Sequence, residues 1–167
     1  MSRRGCFSSI VVLLILVIAA LVVLLVWIGS EPNGIRTRVE ADRRMLSVGE
    51  TMALNIAIEN VNLDPVQVNG IGLEADLLEG LSLVQTLVEG DPQSLPVDER
   101  DFPLIGTWTE YSLDREIAPG DMLDVTFVLE AVKPGSYLGE VTTWVDSRPL
   151  GLPLVQARRE SVDYAVQ

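Results

Sequence analysis

The chain has 167 residues with 24 acidic against 12 basic side chains, a formal charge of −12, one cysteine and no histidine. The absence of histidine removes imidazole acid/base chemistry, Ser-His-Asp and Cys-His arrangements and His-containing zinc sites, while a lone cysteine excludes a disulfide-stapled scaffold. An acidic chain of this kind repels phosphate backbones, so it is not read as a nucleic-acid binder.

Residues 1–9 form a short N-terminal segment carrying Arg3, Arg4 and Cys6. Ile10 to Ile28 then run for 19 residues without a charged or strongly polar side chain. As a helix this run spans roughly 28 Å, close to the hydrocarbon thickness of a bilayer. β-Branched residues abound in it, but only a helix satisfies its own backbone in lipid. Trp27 lies where interfacial aromatics belong. The run is therefore expected to be an uncleaved transmembrane anchor that partners the lipid bilayer. The competing reading is a cleaved signal peptide, whose apolar core would usually be shorter and end at small residues. Cys6 precedes the run, so it is not a lipoprotein cysteine; it is a bland juxtamembrane residue or a palmitoylation site.

Orientation is set by competing signals. Arg3 and Arg4 directly precede the run, whereas Arg36, Arg38, Arg43 and Arg44 follow it closely. A bare count favours an outside N-terminus. The Arg pair before a first helix, and the ease with which long domains translocate, favour a cytoplasmic N-terminus and an extracytoplasmic C-terminal domain at the cell membrane.

Residues 29–35 read as a linker. Strand signals then recur over 36–157. They fall at 36–41, 51–60, 66–75, 81–87, 104–113, 122–131 and 137–146, with turn residues between them. Thr51 to Asn60 is the clearest alternation. The alternation in 66–75 slips by one residue at Asn69-Gly70, which predicts a bulge. Residues 76–80 make at most a helical turn. Residues 89–103, with three prolines and five acids, read as a long loop. Leu150 to Val155 could make an edge strand, and 158–167 a flexible tail. Seven strands without a substantial helix predict an all-β, Ig-like antiparallel sandwich behind one transmembrane helix.

Gly49-Glu50 before an alternating strand ending at Asn60, Pro119-Gly120 before a second such strand, and Gly135-Ser136-Tyr137 opening the last one carry a family resemblance. Over 48–146 the chain resembles bacterial and archaeal extracytoplasmic Ig-like domains of the CARDB and NEW3 kind. The resemblance implies an adhesive, spacer or partner-binding module and supplies no catalytic residues.

Two groups stand out as candidate sites. Glu89, Asp91, Asp98, Glu99 and Asp101 could offer oxygen ligands to calcium, against the alternative of a solvated acidic loop. Strict alternation places Trp108 and Trp144 on outward strand faces, where aromatics anchor protein contacts; the alternatives are that the tail 150–155 covers them or that a bulge turns one inward. Carboxylates such as Asp121 and Asp124 show no cleft pairing. The expectation is a non-catalytic, cofactor-free module that binds or positions another protein. An accessory subunit of a membrane complex and a carbohydrate-binding surface module are the alternatives.

Overall fold

The computed structural model describes residues 13–23, 34–102, 106–147 and 154–167. The chain divides into two compact units, Met1–Glu31 and Pro32–Gln167.

In the first unit, 13–23 form helix α1. All of its side chains are apolar and all are exposed; Leu13, for example, is 64% accessible. Among the described residues no helix is long and apolar enough to cross a membrane. Both ends of the expected 10–28 span, with Cys6 and Trp27, lie outside the described residues.

The second unit is a two-sheet β-sandwich. One sheet contains β1 (Ile35–Ala41), β3 (Thr51–Asn60), β9 (Met122–Ala131), β5 (Leu81–Val88) and β6 (Asp91–Gln93), in that spatial order. The other contains β2 (Met45–Leu46), β11 (Leu154–Val166), β10 (Gly135–Ser147), β4 (Val66–Glu74), β8 (Gly106–Ile117) and β7 (Val97–Phe102). Pairing is antiparallel except for β2 against β11. The chain thus starts in one sheet as β1 and steps to the far edge of the other as β2.

The core follows from alternation. Met52, Leu54, Ile56 and Ile58 of β3 are buried, and their register partners on β9 include Leu129, Phe127, Val125 and Leu123. Residues directly opposite in an antiparallel pair share a face, so both strands present one apolar stripe. The second sheet answers with Val68, Ile71 and Leu73 of β4, Val141 and Val145 of β10, and Tyr111 of β8. The Tyr111 and Phe127 rings meet across the sandwich at 4.9 Å. Burying each side chain of this size contributes about 1.5–3 kcal/mol.

The bulge expected at Asn69 is present: registers with both β8 and β10 skip it. Helix α2 (Ala75–Leu78) fills the expected helical turn. Three expectations need correction. The acidic stretch 89–103 is not a loop throughout, because it holds β6 and β7. The 158–167 segment is not a frayed tail. It belongs to β11, which pairs with β10 along 13 residues and is flanked on its other side only at its end, where Ala165 and Val166 pair with β2. The domain therefore runs past 157. Four strands, β2, β6, β7 and β11, join the seven expected.

Candidate functional site

The six-stranded sheet has an outward face of unusual composition. Its floor is β4, where the bulge at Asn69 sets Gly70 and Gly72 on the outer side, two residues apart. Register places Gly72 between Thr142 of β10 and Glu110 of β8, and Gly70 between Trp144 and Ser112. Glu74, next in the same row of β4, stands opposite Trp108. Thr142 in turn pairs with Arg159 of β11.

The glycines make room for the indoles. A Cβ added at Gly72 would lie 3.2 Å from Trp144 Nε1 and 3.6 Å from Trp108 Cε3. At Gly70 it would lie 2.7 Å from the Tyr111 carbonyl oxygen and 3.4 Å from Glu110 Oε1. Two tryptophans from strands on either side of β4 therefore lean over a trough that only missing side chains leave open. The Arg159 guanidinium carbon lies 6.0 Å from the centre of the Trp108 ring, at the outer limit of cation–π attraction.

Alternation correctly put both tryptophans on the outward face. The two differ in cover, and Trp108 falls on the side of the alternative, an outward residue that is covered. Trp108 is only 2% exposed, Glu110 6% and Thr142 0%, while Trp144 is half-buried. Trp108 is absent from the core between the sheets, so it is an outward residue that is nevertheless covered. The Thr142 hydroxyl has no hydrogen-bond partner among the described residues. The structure brings Trp108 and Trp144 together and adds Gly70, Gly72, Glu110, Thr142 and Arg159. The signal for these was the Gly-x-Gly spacing within β4, which clears one face of a strand.

The acidic candidates are not brought together. Glu89 and Asp91 belong to the β5–β6 hairpin of the five-stranded sheet, whereas Asp98, Glu99 and Asp101 lie on β7 in the other sheet. Among the described residues no group of three acidic or cysteine side chains could hold a metal ion. The long loop needed to gather them is replaced by two strands, which is why they separate.

Two grooves open along the sides of the sandwich. One of about 480 Å³ runs between β1 and β11, lined by Glu40, Asp42, Arg44 and Asp163 among others. The other, about 380 Å³, lies by Val84, Gln93, Val97 and Tyr111. Burial pushes the Tyr111 hydroxyl pKa upward.

At the end of the sandwich where α2 packs on β10, Tyr137 and Tyr164 stack with ring centres 5.1 Å apart. The Tyr164 hydroxyl donates to the Leu77 carbonyl at 2.7 Å, and burial raises its pKa well above the ordinary tyrosine value. Nearby, Lys133 pairs with Glu79, whose hydrogen bond and charge raise the lysine pKa.

No protein-family model and no curated protein matches this chain. Solved structures do. AvmM, which catalyzes macrocyclization in alchivemycin A biosynthesis, is similar with a TM-score of 0.54 and 11% identity, over 83% of this chain and 94% of that one. The major pilin subunit BcpA of Bacillus cereus is similar with a TM-score of 0.50 and 8% identity, over 79% of this chain and 40% of that one. At such identities these likenesses show the fold alone, a β-sandwich shared by proteins of unrelated roles.

Proposed function

We propose that this chain is a membrane-anchored, extracytoplasmic Ig-like module of the CARDB/NEW3 kind, which binds or positions another protein and performs no catalysis. The observation that carries the reading is the surface of α1. A helix that is apolar on every side and exposed on every side within its own chain requires an apolar surrounding. The described helix lies inside a 19-residue uncharged run, and that run has the length of a bilayer crossing. The β-sandwich behind it has its own core, so it supplies a rigid surface. Tethering confines that surface to the membrane plane and lets modest affinities suffice.

The test is a pair of affinity captures, one with the full chain in detergent and one with the soluble 31–167 fragment. The reading expects both to retain the same partner. Retention by the full chain alone would move the contact to the apolar segment and favour an accessory subunit. The carbohydrate alternative draws no support from Trp108, whose burial leaves no ring face for a sugar to stack on.

A further inference from the structure

At the end of the sandwich where the chain enters from the apolar run, two loops carry exposed apolar side chains among charged neighbours such as Arg36, Glu59 and Glu89. Gly34, at a φ of 77°, opens the domain. Its carbonyl accepts a hydrogen bond from the Val61 N–H at 2.8 Å, and the Asn62 side chain fills the space where a Cβ on Gly34 would lie. The 61–65 loop is therefore fastened to the entry point. Beside it lies the β8–β9 turn, since the Gly120 N–H donates to the Asn60 carbonyl and the Asn60 N–H to that of Asp121.

This frame is rigid, yet it presents apolar side chains to the outside. Leu63 is 94% exposed, Met122 54% and Val61 41%. Pro65, Ala118 and Pro119 are exposed alongside them. Neither loop contains a lysine or arginine, and the carboxylates of Asp64 and Asp121 are their only charges. Scattered exposed apolar residues need no explanation, but a cluster on a fixed loop marks a contact surface. Chain length names the occupant. Five residues separate Ile28 from Gly34, so Gly34 lies within about 20 Å of the end of the apolar run.

We propose that the 61–65 loop and the adjoining 118–122 turn insert Leu63, Val61 and Met122 into the headgroup layer of the membrane that holds the anchor. This rests on the anchor reading above. A lipid surface suits these loops because it accepts apolar tips without demanding a complementary shape. The two carboxylates and the acidic domain repel anionic headgroups, so the surface concerned is a zwitterionic one. Contact at this point would fix the tilt of the sandwich and hence which face it offers to a partner.

The test uses the full chain in phosphatidylcholine vesicles. Cys6 is the sole cysteine, so Cys6→Ser provides the background for single-cysteine variants. Leu63→Cys carries an environment-sensitive fluorophore at the entry end, and Leu138→Cys carries it at the opposite end, where Leu138 is 67% exposed. Both are surface sites, so folding is preserved. Quenching by nitroxide-labelled lipid is compared at the two positions, and co-flotation with vesicles after alkaline wash is scored separately. The proposal expects flotation, with quenching several-fold stronger at 63 than at 138 and a blue-shifted emission at 63 alone. Flotation with equal, weak quenching at both positions overturns the lipid contact while the anchor stands. Failure to float overturns the anchor reading and the contact with it.

Discussion

Asn60 Nδ2 donates to the carbonyl oxygens of both Ile117 and Asp64, each at 2.9 Å. Its Oδ1 accepts from the Asn62 N–H at 2.9 Å, and the side chain is fully buried. One amide thus closes the end of β3, the loop after it and the end of β8. Asn60→Ala removes three bonds, of which the one to the Ile117 carbonyl is fully buried and the other two part-buried, and a buried group so orphaned costs about 1–3 kcal/mol. Urea unfolding of Asn60→Ala should show a loss of about 2–4 kcal/mol at unchanged m-value, allowing for water entry at this end. A loss below about 0.5 kcal/mol would show that solvent replaces the amide.

Gly139 lies against the backbone of α2. An added Cβ would fall 2.7 Å from Leu77 Cβ and 2.8 Å from Leu77 N. Backbone cannot swing aside as a side-chain tip can, so Gly139→Ala should displace α2 at a cost of about 1–3 kcal/mol. Gly49 provides the contrast: nothing lies within 4 Å of its added Cβ, but its φ is +87°. Gly49→Ala should cost only about 1 kcal/mol, through strain alone. Thermal unfolding of the two variants should rank them in that order.

The Tyr164 hydroxyl, which donates to the Leu77 carbonyl, is held protonated chiefly by burial. A folded pKa above the unfolded one means that the contribution is fully present below about pH 10 and is lost as pH rises beyond it. Tyr111 adds to the same limb. Stability measured from pH 8 to 12 should fall steeply above 10, and Tyr164→Phe should flatten that fall. An unchanged alkaline limb in Tyr164→Phe would remove Tyr164 as its source.

Trp108 distinguishes a packed outward residue from an exposed contact residue. At 2% exposure, Trp108→Ala should cost about 3–5 kcal/mol. Gly72→Ala should crowd Trp144 Nε1 and shift the native tryptophan emission while leaving the core intact. A Trp108→Ala variant as stable as the parent would return Trp108 to the class of free surface anchors.

How far the sequence reveals this molecule depends on what each strand buries. β3 and β9 are central strands with one face in the core, and their alternation is plain in Met52-Leu54-Ile56-Ile58 and Leu123-Val125-Phe127-Leu129. The turn motifs are equally plain because they carry specific bonds. The Gly49 N–H donates to the Ala131 carbonyl, the Ala131 N–H to that of Glu50, and the Ser47 N–H to the Glu50 carboxylate. β7 was illegible because it is an edge strand held by ladder bonds to β8, with acids along its length. β11 was masked by Arg158, Arg159, Glu160 and Asp163, while its buried Val162, Tyr164 and Val166 come only at its end. The outward direction of Trp108 and Trp144 follows from alternation. The burial of Trp108 does not, because it depends on chain brought from elsewhere in the fold, such as Arg159 of β11.

The central claim is that the apolar run holds the sandwich outside the cytoplasm. Ser82 is exposed on β5, so Ser82→Cys in the Cys6→Ser full chain gives one accessible thiol on the folded domain. Cells expressing this variant, with any outer envelope opened, are treated with a membrane-impermeant maleimide before and after lysis. The account predicts full labelling before lysis, on protein that stays in the membrane pellet after alkaline extraction. Labelling that begins only on lysis, or release of the chain by alkali, would contradict it.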